Sequence, residues 1–155
     1  MVHFNDIVSP DALATGLSVN GKKQLFQKIA ALASKAYGLD TDIVCDALTD
    51  REKLGSTGFG GGVAIPHAKI PGLDHMCGLV VLLDPPVAFE AVDDAPVDVV
   101  FALLSPVDSG AEHLKTLARV SRYLRDDAQV TRLRGAGSTA ALHALLAGGG
   151  ARDAA

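Results

Sequence analysis

Two short apolar runs, Gly78–Leu83 (GLVVLL) and Val97–Leu104 (VDVVFALL), constrain the fold of this chain more than any other feature. Both are rich in β-branched residues, and both are short for helices. Each therefore reads as a strand buried on both faces, with helices covering the sheet. Between them, Pro85–Pro86 and Asp93–Asp94–Ala95–Pro96 are turn signals around an expected edge strand, Val87–Val92.

The covering helices are legible from their spacing. Leu25, Ile29, Leu32 and Ala36 recur at helical period over Gly21–Tyr37, with Asn20 as an expected N-cap and Gly38 as the terminating residue. A second helix starts at Asp40 or Thr41 and runs to about Leu54, with Val44, Ala47, Leu48 and Leu54 as its inward stripe. Arg51 falls along or beside that stripe, where a guanidinium needs an anionic partner. Ser109–Gly110–Ala111–Glu112 has the S-x-x-E form of a capping box and precedes a helix over Gly110–Arg125. His113 shares a face of this helix with Leu117, Val120 and Leu124, so it points inward or into a cleft. Asp127–Arg134 and Ser138–Leu146 read as two further short helices.

The length of 155 residues suits one domain. No apolar run reaches the length of a membrane span, and Met1–Asp6 lacks the features of a signal peptide, so the expected compartment is the cytoplasm, without membrane insertion. Net charge is −4 with the two signs interspersed, which argues against nucleic-acid binding. Cys45 and Cys77 match no paired-cysteine motif and read as small buried residues.

The chemistry is concentrated in Ser56–Ala68, a glycine-rich loop followed by Val63–Ala64–Ile65–Pro66–His67. The loop lacks the Lys-Ser/Thr of a Walker A motif, and Val63 stands where a dinucleotide fingerprint needs glycine or alanine. No G-x-S-x-G elbow occurs in the chain. His67, His75, Cys77 and His113 match no common zinc spacing, so neither a metal nor a cofactor is expected. Pro66 fixes its own φ and biases Ile65 toward extended backbone, so Val63–Ile65 is expected as a strand end that delivers His67 in a fixed direction. A neutral imidazole offers a lone pair near pH 7 and suits attack on phosphorus. Backbone N–H groups of Gly58, Gly60, Gly61 and Gly62, the Thr57 hydroxyl, Arg51 and a second imidazole could stabilise the transferring oxygens. Each also has a plainer reading: the glycines as a turn, Thr57 bonded to local backbone, Arg51 paired with Asp50 or Glu52, and His113 packed on its helix.

The pattern Glu52-x6-Phe59–Gly60-x2-Val63–Ala64–Ile65–Pro66–His67–Ala68 resembles the phosphorylation-site signature of bacterial phosphotransferase-system (PTS) IIA components of the fructose/mannitol type. Phe89–Ala91 and Pro96–Leu104 resemble that family's central segment, and the likeness runs from about Phe4 to Leu146. It implies an α/β fold: a single domain over 4–147 with a mixed β-sheet covered by helices on both faces, and a disordered tail over 148–155. It also implies that His67 accepts a phosphoryl group on Nε2 from the phosphohistidine of an HPr-like carrier. Arg51 and His113 match the family's active-site arginine and second histidine. A free-standing chain opening on Phe4–Asn5–Asp6–Ile7–Val8–Ser9–Pro10 is most similar to the nitrogen-regulatory branch, whose phosphorylation state governs binding to regulatory targets such as transporters or sensor kinases. The alternative is a sugar-specific IIA that passes phosphate to a separate IIB component. In either case a docking face of Phe59, Val63 and Ile70 is expected around His67.

Overall fold

The run at Val97–Leu104 becomes the strand around which the sheet is assembled. The computed structural model describes residues 3–148. In chain order the elements are β1 (Val8–Leu17), α1 (Lys22–Tyr37), α2 (Thr41–Lys53), β2 (Gly58–Gly60), β3 (Val63–Ala64), β4 (His67–Ile70), β5 (Cys77–Val87), β6 (Val97–Pro106), α3 (Gly110–Leu124), α4 (Asp127–Arg134) and α5 (Thr139–Leu146). Strand β6 pairs antiparallel with β5 on one side, and on the other runs parallel to β3 and then β4. Outside these, β1 lies parallel to β5 and β2 antiparallel to β3, giving the order β1-β5-β6-β3-β2. The sheet is therefore mixed.

Every residue from Val99 to Leu104 is fully buried, whichever face its side chain takes, so the sheet is covered on both sides. Helix α1 packs on β1 and β5 and against α2, which in turn rests on β4. Helices α3 and α4 pack on β6, and α5 packs on β1. Among the described residues no helix is long and apolar enough to cross a membrane.

Several local expectations change. The edge strand at Val87–Val92 does not form; β5 instead continues through Pro85–Pro86 to Val87. Its ladder with β6 shifts register between Leu82 and Val87, so the prolines fall where no regular ladder N–H is required. The true edge on that side is β1, which carries Pro10 and Gly16 and lacks a regular alternation. Helix α1 has Gly21 at its N-cap position with no side-chain cap, and the Asn20 N–H donates to Gln24 Oε1 at 2.6 Å. The Ser109 box is not made either, because its hydroxyl donates to the Pro106 carbonyl at 2.6 Å. Asp40 does cap α2, accepting from the Asp42 and Ile43 amides, and Gly38 ends α1 at φ 69°. Leu54, assigned to the inward stripe of α2, lies past the helix and is 84% exposed. Beyond Gly148 the expected tail lies outside the described residues.

Candidate active site

The break between β3 and β4 is what aims His67. The Ile65 N–H turns away from β6 to the Thr57 carbonyl at 3.0 Å, and the Pro66 carbonyl accepts from Leu103 N–H at 2.9 Å. Pro66 has no N–H to offer the ladder, so the strand is interrupted there and restarts at His67, opposite Leu103. Two other elements converge on this point. The last turn of α2 brings Arg51, and the first turn of α3 brings His113.

His67 Nδ1 lies 2.8 Å from the Ile65 carbonyl oxygen. A carbonyl can only accept, so Nδ1 carries the proton and the lone pair is at Nε2. Arg51 Nε donates to that Nε2 at 3.2 Å, which agrees with the assignment, and Arg51 Nη1 donates to the Gly55 carbonyl at 3.0 Å. The pKa of His67 is lowered chiefly by burial, which the Ile65 hydrogen bond opposes and the Arg51 charge reinforces. The ring is therefore kept neutral and nucleophilic.

His113 is nearly buried, and its ring centroid lies 5.7 Å from that of His67. Its Nδ1 is 2.7 Å from the hydroxyl of Ser105, a fully buried residue at the end of β6. Its pKa is also lowered, first by burial and then by the neighbouring His67 and Lys69. His67, His113, Arg51, Lys69, Ala47 and Leu54 line an open cavity of about 530 Å³, with Asp50 on its wall. Among the described residues no carboxylate lies within ion-pair distance of Arg51, so its charge remains available. A larger cavity, about 790 Å³, lies between α1 and α2 over Phe26 and Ala30, but it contains no imidazole.

The structure does not gather all the expected residues in one place. Gly60, Gly61 and Gly62, with φ of 109°, 67° and 80°, turn β2 back into β3. Val63 pairs with Val99 and His67 with Leu103, which separates the hairpin from the imidazole by roughly 13 Å along the strand. The Gly61 N–H donates to Asp93 at 3.0 Å, its carbonyl accepts from Arg134 at 2.7 Å, and the Gly62 carbonyl accepts from the Asp98 and Val99 amides. The Gly58 N–H donates to Ser56 Oγ at 3.1 Å. Thr57 is buried, and both its N–H and its hydroxyl donate to Glu52, which also binds Lys22 at 2.9 Å. None of these residues lines the His67 cavity. The proposed docking residues move as well: Val63 and Ile70 are each only 2% exposed, and Phe59 stands beside the hairpin.

Ser105 and Lys69 were missed in the sequence. Lys69 had a signal, since it lies two residues after His67 on a strand and so shares its face. Ser105 had only a weak one, as the first hydroxyl after an apolar strand.

The whole arrangement falls within residues 6–148, which match the family model "Phosphoenolpyruvate-dependent sugar phosphotransferase system, EIIA 2". The chain belongs to this EIIA family. A nitrogen regulatory protein of Bradyrhizobium diazoefficiens is 46% identical over 144 residues, covering 93% of this chain and 94% of the relative. The structure of the nitrogen regulatory protein IIA-Ntr from Neisseria meningitidis superposes with a TM-score of 0.85 at 32% identity, covering 92% and 97% of the two chains. The mannitol IIA of Escherichia coli shares the fold, with a TM-score of 0.74 at 20% identity over 90% and 98% of the chains. This EIIA domain is thus a phosphocarrier of the phosphohistidine-forming type, and His67 is positioned for the transfer. EIIA domains work with HPr-type and IIB-type proteins.

Proposed function

We propose that His67 Nε2 takes a phosphoryl group from the phosphohistidine of an HPr-like carrier, and that the phosphorylated and free forms of this EIIA bind different regulatory targets. The observation that carries the first half is the fixed tautomer of His67, with its lone pair aimed at Arg51 in an open cavity. In the transfer the donor P–N bond breaks as a P–N bond to Nε2 forms, and the donor ring regains its lone pair. The Nδ1 proton stays on His67, and the Ile65 carbonyl stabilises the cationic phosphorylated ring. Arg51 must leave the lone pair for phosphorus to approach, and then pairs with the phosphoryl oxygens beside Lys69. His113 completes the wall.

The regulatory half is supported by the closer likeness to nitrogen regulatory proteins than to the mannitol IIA. A phosphate adds roughly −1.5 to −2 charge, by analogy with phosphoserine. It would do so beside Leu54, which lines the cavity and is 84% exposed. A partner that buries Leu54 would have to desolvate the phosphate, so one modification could exclude one target and admit another.

The test is incubation with the upstream kinase chain, the carrier and phosphoenolpyruvate. Wild type should gain one acid-labile phosphate and His67→Ala none; equal labelling of the two would overturn the acceptor assignment. Efficient passage of that phosphate to a sugar-specific IIB would overturn the regulatory half.

A further inference from the structure

The two imidazoles of the cavity meet different chemistry at Nδ1, and the difference decides where each ring keeps its proton. His67 faces a carbonyl, which only accepts. His113 faces the Ser105 hydroxyl at 2.7 Å, a group able to donate or accept. Ser105 is fully buried, and His113 Nδ1 is the one partner of its hydroxyl among the described residues. If His113 were the donor, the hydroxyl hydrogen would be sealed in the interior without an acceptor, an arrangement that native interiors avoid. If Ser105 donates, its hydroxyl hydrogen is paired and the imidazole proton moves to Nε2, which is not sealed in the interior.

We infer that Ser105 is a positioning residue that locks His113 in the Nε2–H tautomer, making His113 a hydrogen-bond donor into the cavity that holds His67 Nε2. The Nε2 of His113 has no protein partner among the described residues and is not sealed from solvent, so its proton is free to meet a phosphoryl oxygen. The lock also has a consequence for selectivity. Two histidines share one cavity, yet only His67 presents an Nε2 lone pair, whereas the lone pair of His113 is buried against Ser105. A one-proton difference therefore distinguishes acceptor from donor. The role against phosphate rests on the phosphoacceptor reading of His67; the lock itself does not.

The tautomers can be read directly by two-bond ¹H–¹⁵N correlation spectra of ¹⁵N-histidine-labelled, unphosphorylated full chain at about pH 8, above the ordinary imidazole range. Wild type should show His67 as Nδ1–H and His113 as Nε2–H. Ser105→Ala should turn His113 into a tautomer mixture, leave His67 unchanged, and slow phosphoryl uptake from the carrier about tenfold, the loss of one aligned hydrogen bond. Ser105→Thr, which keeps the hydroxyl, should restore the tautomer. A wild-type His113 in the Nδ1–H form, or a tautomer unmoved by Ser105→Ala, would overturn the inference. Should Ser105→Ala fail to fold, the wild-type spectrum still decides. A wild type that shows the lock but accepts no phosphate would refute the carrier role alone.

Discussion

The glycine hairpin ends at Gly62, five residues before His67, yet the two regions are opposite in how they use polar groups. In the hairpin, the N–H and carbonyl of Gly61 and the carbonyl of Gly62 are all engaged, held by Asp93, Asp98 and Arg134. In the cavity, among the described residues, Arg51 has no carboxylate partner, the Nε2 lone pair of His67 is held only by the displaceable Arg51 Nε–H, and Nε2 of His113 has no protein partner. The first region is largely engaged by the fold and the second is left incomplete. Glycines there supply backbone conformation and close approach, whereas binding capacity resides where hydrogen-bonding atoms remain free. Saturation marks a structural element and incompleteness marks a site.

That contrast can be broken by substitution. The largest effect should come from His67→Gln, which removes the nucleophile: phosphate incorporation falls to background while thermal unfolding stays within a few degrees of wild type. Arg51→Ala should slow phosphoryl transfer by roughly 10² or more, the scale of losing one aligned charge-stabilising donor. Because the Arg51 charge lowers the His67 pKa, the same variant should raise it, as an NMR titration of the ring would show. A transfer rate within threefold of wild type would remove Arg51 from the site.

Gly62→Ala should have the reverse profile. Its φ of 80° disfavours a side chain, and an added Cβ would press on Arg134 and lie 3.0 Å from Asp98 Oδ1. A loss of about 2 kcal/mol in denaturant unfolding is expected, with transfer by the folded fraction nearly unchanged. Were transfer lost and stability kept, the hairpin would belong to the site after all.

The smallest effect is on acid stability. Burial lowers the pKa of both His67 and His113 in the folded chain, so the unfolded chain takes up these protons at higher pH. Their contribution is fully present above the unfolded value of about 6.5 and is lost as pH falls through the lowered folded values. The two contributions act in the same direction, and the partial exposure of His67 limits its share. His67→Gln/His113→Gln should flatten the stability profile below pH 6.5; an unchanged slope there would show that neither ring is held neutral by the fold.

Much of the architecture was legible because the signals were local. Val99–Leu104 is too uniformly apolar to be anything but interior, and the helical stripes of α1 and α3 declared their inward faces. The failures were equally physical. Strand β1 has no periodicity of its own and exists because β5 offers it a parallel edge. The Asn20 and Ser109 caps were plausible residues that found other partners, Gln24 and the Pro106 carbonyl.

The sequence by itself determined the buried strands, the main helices and the aim of His67, since Pro66 breaks the ladder one residue before it whatever the rest of the chain does. Only the tertiary structure decided what surrounds that imidazole. Arg51 reaches Nε2 because α2 rests on β4, and His113 and Ser105 meet because α3 folds back along β6. The hairpin glycines Gly60–Gly62 lie apart from that imidazole because four residues of strand, from Val63 to His67, are longer than a hydrogen bond can span. Local sequence sets backbone direction and, through the Ile65 carbonyl, the tautomer of His67, but the groups that meet its Nε2 are chosen by packing between elements.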